Sequence, residues 1–313
     1  MLHTEKIEKA KKIEGVIVPM VTPLDENFRI DEKGVTNIIQ HFIANGVHPF
    51  VLGTTGESMS IPEEDKDTLV KLTVLYSEGR VKTYAGISSN CMKDALTKAE
   101  KYAKYGVDFL VAHLPWYFPI NPNGMIRWFT EMANNIPLPL ILYNNPYTTY
   151  VSIPHEVTEE LSYHPNIIGI KDSERGTERL NKSIFLWKDR EDFSFLIGWA
   201  AQSAYAVLNG ADGIVPGLAN LFPDIYKKIF DEAKKGNKDE AFKYQKIADE
   251  ISEITQKNRD LSGSIAVLKI MLSVAGLCEP FTMPPIYGIN KEESLIIKEK
   301  TMKFLKTEFV KSK

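Results

Sequence analysis

Short hydrophobic segments alternate with longer amphipathic segments over the first 234 residues of the chain. The short segments are rich in β-branched and aromatic residues, which is typical of strands: 15–23, 49–53, 81–87, 109–115, 138–143, 167–173, 193–198 and 213–216. They begin 20 to 34 residues apart, which leaves room for one helix between neighbours. Helical apolar spacing is clearest at 31–45, 62–77 and 93–105, and Gly46 and Gly106 end the first and third of these helices.

Eight strand–helix units in succession predict an α/β fold, a (β/α)8 TIM barrel closed by its eighth strand. A doubly wound open sheet is the alternative, but no G-x-G-x-x-G motif follows the first strand. The pattern changes at a polar break, 234–239, after which only helical patterns follow, at 239–257, 263–274 and 291–306. We therefore expect a barrel of residues 1–234 and a C-terminal helical region of residues 235–313.

Composition narrows the classes of function. The chain is 43% hydrophobic and 25% charged with a net charge of −3, and no basic stripe suggests nucleic acid or an anionic membrane as a partner. The first fifteen residues lack the apolar core of a signal peptide, and no window reaches the roughly 18 apolar residues of a membrane span. Cys91 and Cys278 are too few for a disulfide framework. We expect a cytoplasmic protein.

The usual signatures of cofactor chemistry are missing. The six histidines show no metal-ligand spacing, and neither a nucleotide-binding P-loop nor a G-x-S-x-G nucleophile elbow occurs. We expect no metal and no cofactor.

One strand carries an unexpected charge. The sixth segment holds Lys171. Period-2 alternation puts Gly169, Lys171 and Ser173 on one side of the strand and Ile168, Ile170 and Asp172 on the other. A lysine at a strand end more often snorkels or pairs with a carboxylate than reacts as a free amine. Taken alone, Lys171 leaves both interpretations open.

Two other strand ends carry reactive groups. The second strand ends in Gly53-Thr54-Thr55-Gly56-Glu57-Ser58, a turn whose N–H groups could bind an anion, or a plain connection. Ser60 and Glu63 have the spacing of a capping box, which would add a helix N-terminus to this site. Tyr143, at the end of the fifth strand, could relay a proton or be a buried phenol with a satisfied hydroxyl.

These three segments occur together in one known family. The turn 53–58, Tyr143-Asn144-x-Pro146 and Gly169-Ile170-Lys171-Asp172-Ser173 resemble the dihydrodipicolinate synthase / N-acetylneuraminate lyase family of pyruvate-dependent class I aldolases, over nearly the whole chain. The resemblance implies that Lys171 forms a Schiff base with a 2-oxo acid. It implies that Gly53, Thr54 and Thr55 hold the keto acid's carboxylate, and that Tyr143 moves a proton through the Thr54 hydroxyl.

The resemblance also implies further members of the site. Tyr117 matches a tyrosine that completes the proton relay from a neighbouring subunit, which implies a homo-oligomer, commonly a dimer of dimers. Ser173, Gly198 and Val215 match positions that line the substrate pocket.

Two departures bear on the substrate. Thr148 stands where dihydrodipicolinate synthases carry an arginine that clamps the second substrate's carboxylate, and a threonine cannot replace a guanidinium there. Trp199 follows Gly198 where sialic acid lyases place acidic residues. The first hypothesis is therefore an aldolase of 2-keto-3-deoxy sugar acids or related 2-oxo acids. Three alternatives stay open: a dihydrodipicolinate synthase condensing pyruvate with aspartate semialdehyde, a dehydratase or deaminase using the same imine, and a non-catalytic 2-oxo-acid-binding paralogue.

Overall fold

Eight parallel strands close into a barrel in the computed structural model, which describes residues 12–306. The strands are β1 (Gly15–Pro19), β2 (His48–Val51), β3 (Tyr84–Gly86), β4 (Phe109–His113), β5 (Leu140–Asn144), β6 (Ile167–Asp172), β7 (Ser194–Ile197) and β8 (Gly213–Ile214). Each strand pairs with the next, and Gly15 lies opposite Gly213 where β8 meets β1. The predicted TIM barrel is confirmed, and the open sheet is wrong.

Helices follow the strands as the pattern predicts. They are α1 (Glu32–Ala44), α2 (Glu63–Ser77), α3 (Met92–Tyr105), α4 (Pro122–Asn134), α5 (Pro146–Thr149), α6 (His155–Ser162), α7 (Thr177–Trp187), α8 (Ser203–Leu208) and α9 (Pro223–Lys234). The short α5 was not predicted, because Pro146 at its first position marks a turn and a helix start equally well. Gly106 ends α3 in the left-handed conformation, at φ 96°.

Three helices follow the barrel: α10 (Lys238–Gln256), α11 (Leu261–Val274) and α12 (Lys291–Leu305). α10 packs against α8 and α9, and α11 packs between α10 and α12. The boundary at residue 234 stays a prediction, and residues 1–11 and 307–313, which the two predicted regions include, lie outside the described residues. No helix within residues 12–306 is long and apolar enough to cross a membrane.

Two hydrophobic cores share the strands. The larger core lies between the strands and the surrounding helices, and the smaller core fills the barrel. The smaller core consists of Ile13, Ile17, Phe50, Tyr84, Val111, Ile141, Tyr143, Ile168, Leu196 and Val215. A packed interior of this kind is a floor rather than a pore, so the chemistry must lie at a barrel end.

The alternation predicted for β6 is wrong at one residue. Leu140 pairs with Ile167 but Ile141 pairs with Gly169, so Ile168 is an extra residue in β6. This bulge turns Ile168 into the barrel, while Ile170 faces the outer core. Lys171 nevertheless faces inward, as predicted, above the interior side chains.

Candidate active site

The amine of Lys171 lies at the carboxyl end of the barrel among aromatic rings. Lys171 is 5% exposed. Its Nζ lies 4.0 Å from the ring centroid of Tyr143 and 5.1 Å from that of Phe50. Among residues 12–306, Lys171 makes no ion pair with a carboxylate. An amine in an apolar site with no carboxylate partner is placed to attack the carbonyl carbon of a substrate.

The neighbouring carboxylate is committed elsewhere. Asp172 accepts hydrogen bonds from Arg179 Nε at 2.7 Å and from Asn144 Nδ2 at 2.8 Å. Burial raises the pKa of Asp172, although the charge of Arg179 and the hydrogen bonds oppose that shift. Glu174 joins the same network, 3.2 Å from Arg179. This network fixes the ends of β5 and β6 and gives Asp172 a cation other than Lys171.

Tyr143, Thr54 and Asn145 form a hydrogen-bonded cluster beside the amine. The Tyr143 hydroxyl and Thr54 Oγ1 lie 3.2 Å apart, and the Asn145 amide donates to the former at 3.1 Å and to the latter at 3.3 Å. Burial raises the pKa of Tyr143, but the charge of Lys171 and hydrogen bonds from Thr54 and Ser173 outweigh it, so that this pKa lies below its usual value. A phenol with a lowered pKa next to an amine can carry a proton in both directions.

The turn after β2 places Thr54 and Thr55 at the barrel mouth. Gly53 O accepts from Gly56 N at 3.1 Å, and a Cβ at Gly56 would lie 2.9 Å from Met20 O, so only glycine fits there. The Thr55 side chain lines a cavity of about 130 Å³ that also borders Gly217.

The predicted capping box at Ser60 and Glu63 is wrong. α2 begins after Pro62, and Glu63 instead contacts Lys66 at 2.6 Å and Lys98 at 3.2 Å. Its first turn carries Glu63, Glu64 and Asp65. This helix N-terminus therefore repels an anion, and any carboxylate binding falls to the turn alone.

Three predicted pocket positions surround Lys171. Val215 lines the floor together with the lysine. Gly198 N donates to Asp172 O at 2.6 Å, and a side chain at Gly198 would overlap Ser173 Oγ. Ser173, Gly198 and Val215 thus lie at the ends of β6, β7 and β8, around the same opening.

The other three predicted residues make contacts of their own in a single chain. The Tyr117 side chain is 75% exposed, and its ring contacts Phe118 edge-on at 5.0 Å. Thr148 is half-buried and donates to Asn145 O at 3.2 Å. Trp199 packs against the outer core, whereas its neighbour Ala200 lines the cavity.

Sequence reasoning missed two residues beside the tyrosine. Asn145 occupied the variable position of the Tyr-Asn-x-Pro segment, although a polar residue directly after a strand end was a usable signal. His113 ends β4 with its ring 6.1 Å from that of Tyr143. Burial lowers the pKa of His113, the Leu114 carbonyl opposes this, and the Lys171 charge lowers it further. His113 therefore favours its neutral form.

A closed (β/α)8 barrel with a buried amine beside a tyrosine–threonine pair at its carboxyl end is the arrangement of a class I lyase, an enzyme that binds its substrate as a lysine imine. Comparisons with known proteins agree with this class. The model of the Dihydrodipicolinate synthetase family matches residues 12–306.

Individual relatives give the same result. The 4-hydroxy-tetrahydrodipicolinate synthase of Methanothermobacter thermautotrophicus is 33% identical over 235 residues, covering 74% of this chain and 83% of the relative. The structure of dihydrodipicolinate synthase from Bacteroides thetaiotaomicron is 32% identical with a TM-score of 0.89, covering 95% of this chain and all of that one. A sialic acid aldolase of Ruminococcus gnavus shares the fold at 23% identity and a TM-score of 0.84, covering 92% of this chain and 94% of the aldolase. The chain belongs to the dihydrodipicolinate synthase family, and it is a pyruvate-dependent class I lyase.

Proposed function

We propose that Lys171 is the imine-forming residue of this enzyme and that its substrate is a 2-keto-3-deoxy sugar acid or a related 2-oxo acid. The observation that carries the proposal is the position of the amine: it is buried, it makes no ion pair among the described residues, and it lies against a tyrosine that is hydrogen-bonded to Thr54.

The proposed reaction begins with attack of Lys171 Nζ on the ketone carbon of pyruvate. Loss of water gives a protonated imine, which withdraws electrons from the methyl group. The Tyr143 oxygen takes a methyl proton while its own proton passes through the Thr54 hydroxyl, 3.2 Å away, to solvent, and an enamine forms. The enamine carbon attacks an aldehyde, the new alkoxide recovers the proton from Tyr143, and water releases the product by hydrolysing the imine. In the opposite direction the same steps cleave the carbon–carbon bond.

The cavity beside Thr55 supports a sugar-derived substrate. Among the described residues, its lining carries no charged side chain but several hydroxyl and amide groups, at Ser252, Thr255, Gln256 and Ser264. Such a lining suits the hydroxylated chain of a sugar-derived aldehyde better than a second carboxylate, which calls for a cationic partner. Thr148, in the position of the family's arginine, points to the same conclusion.

A second candidate is a dihydrodipicolinate synthase. The relatives favour this candidate. Two of them, 33% and 31% identical to this chain, are named 4-hydroxy-tetrahydrodipicolinate synthase. The two candidates share the imine and differ only in the aldehyde.

We also propose a homo-oligomer in which Tyr117 reaches the site of a neighbouring copy. Tyr117 and Phe118 are 75% and 77% exposed, and two adjacent aromatic side chains in water are more typical of an interface than of a free surface. Two free cysteines, Cys91 and Cys278, support a cytoplasmic location. Light scattering of the purified chain tests the oligomer, and a monomer would contradict it.

Borohydride reduction with pyruvate tests the imine. A reduced pyruvyl adduct on Lys171, absent from Lys171→Ala, is expected, and an adduct on another lysine contradicts the assignment. A panel of aldehydes assayed with pyruvate then separates the two candidates. Glyceraldehyde and longer hydroxylated aldehydes should react at least about tenfold more efficiently than aspartate semialdehyde, because charge-assisted recognition of the semialdehyde's carboxylate is missing at position 148. The reverse order favours the synthase.

A further inference from the structure

A buried carboxylate closes the turn that carries Thr54 and Thr55. Glu57 N donates to Thr54 O at 3.0 Å, and Glu57 has a φ of 55°, in the left-handed region that residues other than glycine seldom adopt. A backbone of this kind persists only where the surroundings hold it in place. The surroundings of Glu57 therefore decide the shape of the turn.

Within residues 12–306, the contacts of the Glu57 carboxylate come from the C-terminal helical region. Glu57 Oε2 accepts from Met283 N at 2.6 Å, and Oε1 lies 2.6 Å from Lys269 Nζ on α11. Lys269 Nζ also donates a hydrogen bond to Phe281 O at 2.6 Å, which fixes the position of the ammonium group. Both side chains of the ion pair are 0% exposed.

A fully buried ion pair loses the hydration of both charges, and this desolvation costs free energy. Burial lowers the pKa of Lys269, and the charge of Glu57 only partly offsets this. Pairs of this kind often add no stability over a hydrophobic pair of equal size, and their best-attested contribution is a fixed geometry. The geometry fixed here is that of the turn after β2.

We infer that Glu57 and Lys269 are positioning residues, through which the C-terminal region sets the affinity of the Thr54–Thr55 turn for the carboxylate of the keto acid. This inference rests on the proposed function, in which that turn binds the carboxylate. It gives the C-terminal helices a part in substrate binding, since α11 carries Lys269 and also lines the cavity beside Thr55.

Binding and proton transfer should separate when the pair is broken. The Thr54 hydroxyl is held from the β5 side, by Tyr143 and Asn145, and these contacts do not involve the C-terminal region. Glu57, by contrast, contacts the backbone of the turn, through the hydrogen bond from Glu57 N to Thr54 O. Loss of the ion pair should therefore weaken pyruvate binding more than it slows proton transfer in the bound state.

Lys269→Gln and Glu57→Gln test the inference. Lys269→Gln keeps a donor for Phe281 O, and Glu57→Gln keeps an acceptor for Met283 N. Lys12→Gln is the matched control, because its ion pair with Asp212, at 2.8 Å, is partly buried and lies just before β1 and β8, at the opposite end of the barrel from the turn. Circular dichroism and thermal unfolding check that each variant folds.

Two quantities are measured with the full-length protein and pyruvate. The fraction of borohydride-trapped adduct on Lys171 gives the half-saturating pyruvate concentration, and exchange of pyruvate methyl protons in D₂O gives the proton-transfer rate at saturation. Both glutamine variants should raise the half-saturating concentration about tenfold or more and change the saturated exchange rate by less than about threefold. The control should leave both quantities within about twofold of the wild type.

Every other result contradicts either the inference or the proposed function on which it rests. Folded variants with an unchanged half-saturating concentration overturn the inference alone, as does an equal rise in Lys12→Gln. If neither glutamine variant folds, the pair serves folding and the positioning role is rejected. If the wild type forms no adduct on Lys171, the proposed function fails first and the inference fails with it.

Discussion

Replacing Tyr143 with phenylalanine isolates the proton relay from everything else in the site. The ring remains, so the contact with Lys171 Nζ at 4.0 Å and the edge-on contact with Phe50 at 6.4 Å are kept. The hydroxyl is lost, and with it the contacts to Thr54 at 3.2 Å and Asn145 at 3.1 Å. The variant thus removes an oxygen without opening the apolar floor.

The expected magnitudes follow from these contacts. Neutral hydrogen bonds with Thr54, Asn145 and Ser173 contribute about 1 kcal/mol each to the free energy of unfolding, so Tyr143→Phe should destabilise the protein by about 3 kcal/mol at most. General acid–base catalysis by a positioned group contributes about 10²- to 10⁴-fold, or roughly 3 to 5 kcal/mol of barrier. The loss of rate should therefore far exceed any loss of folded protein.

Exchange of the pyruvate methyl protons with D₂O, followed by NMR, measures this step without a second substrate. Tyr143→Phe should slow exchange about 10²- to 10⁴-fold and still yield the borohydride adduct on Lys171, because imine formation needs the amine rather than the phenol. Lys171→Ala should abolish both. Exchange in Tyr143→Phe at near the wild-type rate would refute the relay. Loss of the adduct would mean that the phenol is needed to form the imine.

Three further substitutions probe the same site. Thr148→Arg should lower the KM for aspartate semialdehyde about tenfold or more, since a charge-assisted hydrogen bond contributes about 1.5 to 3 kcal/mol. Steady-state kinetics measure this KM, and an equal decrease in the control Thr148→Lys would show that positive charge alone is responsible. Gly198→Ala should destabilise the fold by about 1 to 3 kcal/mol and weaken pyruvate binding, because the new Cβ would crowd Ser173 and the Asp172 carbonyl; an unchanged denaturation midpoint would contradict this crowding. Thr54→Val removes a hydrogen bond that lowers the pKa of Tyr143, so this pKa should rise. The exchange rate, measured over a series of pH values, should then begin to rise at a higher pH than in the wild type. A shift to lower pH would contradict this prediction.

The barrel and its central residues could be predicted because each is encoded locally. Every strand is a short apolar segment, and helices of adequate length separate them. Lys171 and Tyr143 are noticeable because they are polar groups at the ends of such segments, and the closed barrel brings those ends together. Residues 28 positions apart, such as Asn144 and Asp172, become neighbours in this way.

The features that escaped prediction depend on contacts that no local pattern records. The bulge at Ile168 arises from the register between β5 and β6, which strand periodicity alone does not set. Glu57 meets Met283, 226 residues further along the chain. The supposed capping box failed for a local reason as well, because α2 begins after Pro62 and Glu63 pairs with Lys66 at 2.6 Å in addition to Lys98 on α3.

The reactivity of Lys171 depends on which group pairs with the carboxylate of its neighbour, Asp172. A carboxylate within contact distance would form an ion pair with the amine, and Asp172 is the next residue in the chain. Strand alternation turns Asp172 away from the barrel, where Arg179 Nε lies 2.7 Å from it with 14% of the arginine side chain exposed. The salt bridge between Arg179 and Asp172 is therefore part of the chemistry as well as of the fold. It keeps the acid on the outer face of β6, and the aromatic rings on the inner face are left as the surroundings of the amine.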